Sequence, residues 1–317
     1  MLHLFLQAGI AWSASCGTMT PTGPWTEPST GGASCPLTAA GLQNTQSITG
    51  RMFGEAVPKG PPTGFWNYPT SFCNTEGVTA AEANLTPSKA MDLLERASDC
   101  GVFLFLTPSR RLLTTTGTTH APFSPENAAA FDTQLAAKLT AGVVDQHRGK
   151  FAVILADDYG CKECWGGVPV TPAQIEAWAI DFRQKIPDVP LCVRVETGWV
   201  LKSPTLKDHI DCAWAQYHEG KRDASTYFGR EAANAERLGL ALAGGVNLTN
   251  CSGRHTSTCT PSEFLDFMTS ALKVGKVCAA MAWNYDDVTM ADPGMREAWR
   301  KIAQLAAALP AVPCRHS

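Results

Sequence analysis

The sequence predicts an α/β chain folded as a (β/α)8 barrel of the TIM type, with one strand irregular or missing. Three observations carry that expectation. Short apolar runs alternate with amphipathic stretches seven times along the chain, and such alternation means parallel strands joined by crossover helices. Polar residues stand at the C-terminal end of nearly every apolar run, as a ring of loops around a barrel mouth requires. No Gly-x-Gly-x-x-Gly follows the first strand, the signal an open dinucleotide-binding sheet would carry, and 317 residues leave room for the ~250 of a typical barrel.

In chain order, residues 1–15 hold an apolar stretch, Leu2 to Trp12, followed by Ser13, Ala14 and Ser15. This resembles the end of an export signal without its basic start, and Cys16 stands where a lipid anchor would attach. Residues 16–46 are rich in Thr, Ser, Pro and Gly and read as an arm. Residues 47–317 are then a single barrel domain.

Within that domain Ile48 to Phe53 is expected as a first strand. An irregular insert follows, with the aromatic cluster Phe65-Trp66-Asn67-Tyr68. Thr86-Pro87 opens a helix to about Ser98, the proline just inside its start being a normal initiation signal. Val102 to Leu106 is a strand, and Ser124-Pro125 opens one helix to about Gln146. Phe151 to Ala156 is an apolar run with the look of a strand buried on both faces. A helix from Thr171-Pro172 to Lys185 leads to the strand Leu191 to Val195 and a short helix near Leu206. Cys212 to Tyr217 is a strand, and Ala224 to Leu238 a helix closed by Gly239. The strand Leu240 to Val246, the helix Thr260 to Lys273, a strand from Cys278 to Trp283 and a helix from Gly294 to Leu309 complete the chain. An eighth strand is expected in residues 1–46 or in the insert before Thr86, unless the barrel is incomplete.

Bulk composition narrows the function. Apolar residues make up 44% of the chain and charged residues 17%, enough for a large core. Net charge is −3 with no Lys/Arg run, which disfavours nucleic acid and anionic membranes as partners. No segment past the start is apolar enough to span a bilayer. The 12 cysteines fit disulfides and an exported, secreted or extracytoplasmic protein. Cys161–Cys164 and Cys251–Cys259 are the favoured loop staples. Cys192 and Cys212 either bridge the barrel bottom or stay as core thiols, and Cys278 with Cys314 could fasten the tail. Serine-hydrolase, zincin, P-loop and dinucleotide motifs are absent, and no organic cofactor is implied.

The strand ends carry the candidate chemistry. The run at 151 closes in Asp157-Asp158-Tyr159, and the run at 278 closes in Trp283-Asn284-Tyr285-Asp286-Asp287. Adjacent carboxylates repel and cost stability at the edge of a core, so their recurrence there points to use. Asp158 and Asp286 are the expected catalytic pair, with Asp157 and Glu196 as alternates. Alternation sends one member of the Asp157-Asp158 tandem inward, without fixing which. Arg194, Gln216, His218, Asn247, Trp283 and Tyr285 would bind substrate, with Trp66, Tyr68 and Trp165 as aromatic surfaces. Carboxylates interleaved with Trp and Tyr suit a carbohydrate, whose C–H faces pack on rings. The plainer roles weigh against each. Asp157-Asp158 could be a loop cap bonded to Arg194, Glu196 an ion pair with Arg194, Asp287 a cap, His218 ordinary surface, and Trp178 and Trp214 core.

With these residues in view, residues 48–309 resemble the barrels of secreted glycoside hydrolases. The resemblance lies in apolar strands that end in Asp157-Asp158-Tyr159 and Trp283-Asn284-Tyr285-Asp286, with helices between; no particular family is assigned. Many such barrels place a Glu after strand four and another after strand seven. By the present count Glu196 follows strand four and Asp286, not Glu, follows strand seven. The resemblance implies a monomeric hydrolase of poly- or oligosaccharides working through two carboxylates. The rival readings are a non-catalytic carbohydrate-binding barrel, and a metal-dependent hydrolase with Asp157, Asp158, His218 and Asp286 as ligands.

Overall fold

Eight parallel strands pair in sequence order and the last pairs with the first, closing a barrel. The computed structural model describes residues 60–68, 76–155, 157–203, 205–218, 220, 223–249, 251 and 258–315. The chain divides into Met1–Met52 and Phe53–Ser317. The export segment, Cys16, the arm and the expected strand Ile48 to Phe53 all lie outside the described residues.

The strands are β1 Thr63–Phe65, β2 Ala80–Leu85, β3 Phe103–Pro108, β4 Phe151–Ile154, β5 Leu191–Val193, β6 Cys212–Tyr217, β7 Ala241–Asn247 and β8 Val277–Trp283. The helices are α1 Ala90–Asp99, α2 Pro125–Ala136, α3 Ala141–Gln146, α4 Pro172–Lys185, α5 Thr197–Val200, α6 Ala224–Leu238, α7 Pro261–Lys273, α8 Asp287–Ala291 and α9 Pro293–Ala308.

Two strands come from the insert read as irregular, so the ring closes without Ile48 to Phe53. β1 has three residues, and its Gly64 lies so near β2 that a Cβ there would sit 1.6 Å from the Ala80 carbonyl oxygen. β2, Ala-Ala-Glu-Ala-Asn-Leu, is made, apart from Leu85, of residues depleted in strands. The expected helix over 124–146 is two, because Thr140 is extended (φ −64°, ψ 161°) and starts α3 afresh. The short helix near Leu206 is a 3-10 turn, Leu206–Asp208.

With β1 and β2 counted, the candidate residues fall after later strands than expected. Asp157-Asp158 follows β4, Glu196 follows β5, Asn247 ends β7, and Asp286 follows β8. The paired carboxylates therefore occupy the strand-four position that the resemblance reserves for one, and Glu196 does not.

Helix starts are written in local chemistry. Pro lies in the first turn of α2, α4, α7 and α9, where its missing N–H costs nothing. Thr171 with Gln174, and Thr260 with Glu263, form reciprocal capping boxes that satisfy otherwise orphaned N–H groups.

Alternation divides the core in two. Inward residues Ala80, Phe103, Phe105, Ala152, Ile154, Cys192, Cys212, Trp214, Ala243 and Met281 fill the barrel with Trp66. Outward residues such as Leu104, Val153, Val193 and Val246 pack under the helices. Four disulfides lie among the described residues: Cys161–Cys164, Cys192–Cys212, Cys251–Cys259 and Cys278–Cys314. The two expected loop staples are present. Cys192–Cys212 joins the paired residues of β5 and β6, and Cys278–Cys314 fastens the tail. No helix among the described residues is long and apolar enough to cross a membrane.

Candidate active site

A cleft of about 620 Å3 opens among the loops after β4, β5 and β6, lined by Asp158, Arg194, Glu196, Trp199, Gln216 and His218 among others. Its position at the C-terminal ends of the strands is where barrels of this kind work.

Arg194, just past β5, organises it. Its Nη1 donates to Asp157 Oδ1 and its Nη2 to Gln216 Oε1. The guanidinium also lies 4.8 Å from the Trp66 ring centroid and 4.6 Å from that of Trp214, while the two rings stack 4.5 Å apart. A planar cation can hydrogen-bond at its edge while its face rests on rings, which Lys cannot do. The plain reading of Asp157 as a partner of Arg194 is what the structure shows.

Asp158 is the more exposed of the tandem, its side chain 48% accessible against 17% for Asp157. β4 ends at Ile154, so strand alternation does not set the directions of Asp157 and Asp158. Asp158 has a left-handed backbone (φ 53°), a conformation Asp tolerates through local hydrogen bonds. Its N–H donates to Asp157 Oδ1 at 2.7 Å. Its carbonyl accepts from Cys161 N–H at 2.9 Å and from the Trp165 indole at 3.1 Å. The Cys161–Cys164 staple thus closes the same turn that presents Asp158. Arg110 Nη2 stands 3.4 Å from Asp158 Oδ2 and Arg194 Nη1 3.5 Å from Oδ1. Partial burial and the neighbouring Asp157 charge push the Asp158 carboxyl above the usual carboxylate range, against the pull of the two arginines.

Glu196 Oε2 lies 3.3 Å from Arg230 Nη2 on α6, so among the described residues it pairs with Arg230 and not with the expected Arg194. His218 lines the cleft with its Nδ1 buried and without a hydrogen-bond partner among the described residues, and burial pushes its imidazole below the usual histidine range.

Several expected site residues have other work. Asp286, the expected partner of Asp158, caps α8: its Oδ2 accepts Thr289 N–H at 2.7 Å and Thr289 hydroxyl at 2.5 Å. Those bonds hold it below the usual carboxylate range. The capping role assigned to Asp287 belongs to Asp286, because the helix starts one residue later than the carboxylate that closes its first turn. Trp165 is wholly buried under Arg110, with the guanidinium carbon 5.2 Å from its ring centroid, and offers no sugar surface. Tyr68 is buried against Phe65 and Tyr285 at centroid distances of 6.0 and 4.9 Å, and burial and Asp287 push the Tyr285 hydroxyl up to about 12. Asn247 is buried at the end of β7 beside Trp283, and neither lines the cleft. Trp66 is buried as a support for Arg194. Trp199, not among the expected site residues, is the half-buried ring that lines the cleft, stacked 4.9 Å from Tyr159.

The four ligands of the metal reading do not converge. Among the described residues the group of metal-binding atoms that does is Cys212, Cys278 and Cys314, all of them in disulfides.

Sequence reading missed Glu82. It lies on β2 inside the barrel, 1% exposed, and its pKa is raised to about 7, chiefly by burial. The available signal was a lone Glu in the alanine run Ala80 to Ala83, legible only once that run is known to be a strand.

No protein-family model matches the chain, and no curated protein sequence matches it. Among solved structures it is similar to a candidate alpha-L-fucosidase from Bacteroides thetaiotaomicron, with TM-score 0.51 and 9% identity over 83% of this chain and 99% of that one. It is also similar to a hyperthermophilic endocellulase from the archaeon Pyrococcus horikoshii, with TM-score 0.47 and 11% identity over 77% and 92%. At such identities what is shared is the barrel fold.

Proposed function

We propose that the protein is an exported glycoside hydrolase that cleaves poly- or oligosaccharides with Asp158 as acid/base and Glu196 as the second carboxylate. The observation that carries this reading is the cleft itself. It joins a carboxyl that holds its proton more tightly than usual to a second carboxylate and an accessible indole, at the mouth of a barrel. A glycosidic oxygen needs a proton as it leaves, and the anomeric carbon needs a carboxylate or an activated water on its other side. Asp158, raised by burial and Asp157, suits the first task. Glu196, oriented by Arg230, suits the second. Trp199 would take a sugar face and Gln216 its hydroxyls. Four disulfides support export.

A second reading, a non-catalytic carbohydrate-binding barrel, draws on one fact: Asp157, Asp158 and Glu196 each have an arginine within 3.5 Å.

Reducing-end release from a polysaccharide panel separates the two. Wild type is expected to release sugar with or without EDTA, and Asp158→Asn and Glu196→Gln to lose it. Folded variants that bind the same glycan without any wild-type release would establish the binding barrel instead.

A further inference from the structure

A buried carboxyl lies in the barrel near this cleft, and glycoside hydrolysis by Asp158 and Glu196 gives it no task. Glu82 faces inward from β2, and its Oε2 accepts the Asn67 N–H at 3.1 Å. Asn67 has a left-handed backbone (φ 52°) and directly follows Trp66, the ring stacked on Trp214 beside Arg194. Glu82 accepts from the Asn67 N–H after β1, lies beside Thr107 of β3, and feels the charges of Asp157 after β4 and Arg194 after β5. Arg194 is the one cation among them. It has a donor to spare, because its Nε–H is buried with no partner among the described residues, and an arginine nitrogen can only donate.

We propose that Glu82 is a positioning residue of the cleft, acting on Asp158 through the Trp66–Asn67 turn and through its share of Arg194. The effect on catalysis rests on the glycosidase reading; the link between Glu82 and Arg194 does not.

Arg194 is paired with Asp157, stands 3.5 Å from Asp158 and acts on Glu82 as well. Because burial brings Glu82 to about 7, it changes charge in the neutral range. Below that pH it is neutral, and the guanidinium serves Asp157 and Asp158 alone. Above it a third negative charge competes for the same cation. Arg194 then stabilises the Asp158 carboxylate less, and Asp158 holds its proton to higher pH. Opposed charges in a partly dry site interact several-fold more strongly than in water, so one proton on Glu82 is felt at Asp158 without contact.

The test follows the Arg194 Nε–H by 15N NMR across pH in the full chain, with the resonance identified by its loss in Arg194→Lys. Wild type is expected to show an inflection near pH 7 that Glu82→Gln removes while unfolding remains one sharp transition. An inflection that persists in Glu82→Gln, or one absent from wild type, overturns the proposal. Should Glu82→Gln fail to fold, Asp157→Asn replaces it. Asp157 raises Glu82, so the inflection must move to lower pH, and an unmoved midpoint is equally fatal. On a cleaved glycan, Glu82→Gln is expected to move the alkaline limb of the rate profile to lower pH at unchanged KM, a change that a merely structural role would not produce. An unmoved limb removes the link to Asp158. A clear inflection with no glycan cleaved sinks the glycosidase reading and leaves the Glu82–Arg194 link standing.

Discussion

Arg194 bonds Asp157 across the ends of β5 and β4, and that pair fixes which of the two tandem carboxylates is left for a ligand. Asp157 is spent on the arginine, and Asp158 faces the cleft. Arg194→Lys keeps the charge but loses both the fork to Asp157 and Gln216 and the contact with two indoles. Removing one side of a largely buried pair costs about 3 kcal/mol. The lysine is expected to lose a good part of that in urea unfolding, and Arg194→Ala all of it. A lysine variant as stable as wild type would mean that the fork contributes little.

Asp286 and Asp158 make opposite forecasts. As a helix cap, Asp286→Ala is expected to cost about 1 kcal/mol, while Asp286→Asn, which caps nearly as well, stays close to wild type in stability and in glycan release. Asp158→Asn is expected to fold and to lose release. Loss of release in Asp286→Asn, with stability unchanged, would return Asp286 to the catalytic pair.

Glu82 and Asp132 are both raised to about 7, chiefly by burial. Each binds its proton more tightly in the folded protein than in the unfolded chain. The stability this confers is full below the unfolded values, 4.5 and 3.8, and is lost as pH rises to about 7. For Glu82 the spread corresponds to about 3 kcal/mol. Urea unfolding is expected to show stability falling from pH 5 to pH 7.5, and Glu82→Gln to flatten much of that fall. A variant whose stability falls as steeply as that of wild type would place the loss elsewhere.

Much of this was legible because the physics is local. Pro and Thr mark the helix starts, apolar runs mark six of the eight strands, and cysteine spacing marks the loop staples at Cys161–Cys164 and Cys251–Cys259. β1 and β2 were not, because Gly64 and the alanines of β2 are chosen for close approach between strands, which leaves no periodic signal. The site followed the same division. Asp158, Arg194, Glu196, Gln216 and His218 could be named from strand ends. Glu82 could not, since its setting comes from strands far apart in sequence. Asp286 and Trp165 look like site residues from their neighbours, yet one satisfies a helix start and the other holds a loop.

The disulfides should rank by the chain they close. Constraining the unfolded state is worth about 4 kcal/mol for a loop of the span of Cys278–Cys314, about 3 for Cys192–Cys212 and under 2 for Cys161–Cys164 by the chain-entropy relation; their separations are 36, 20 and 3 residues. Paired Cys→Ser variants are expected to lose Tm in that order. The shortest staple should differ in kind, since it closes the turn that holds the Asp158 carbonyl: its removal is expected to lower glycan release more than Tm. The reverse order would mean that contacts in the folded protein outweigh the entropy of the unfolded chain.

Gly245 tests the support beneath Arg194. A Cβ there would meet the Trp214 indole nitrogen at 2.2 Å, so Gly245→Ala must displace the ring on which Arg194 rests. Overpacking of this kind costs about 1–3 kcal/mol, and the displaced indole should release Arg194 from its stack and lower glycan release as well. Gly198, also at the cleft, has open space where a Cβ would go, so Gly198→Ala is the control and is expected to change stability by less than about 1 kcal/mol. If Gly245→Ala reduces stability while release per folded molecule stays at the wild-type level, then Trp214 supports the barrel but not the site, and Arg194 is held by Asp157 and Gln216 alone.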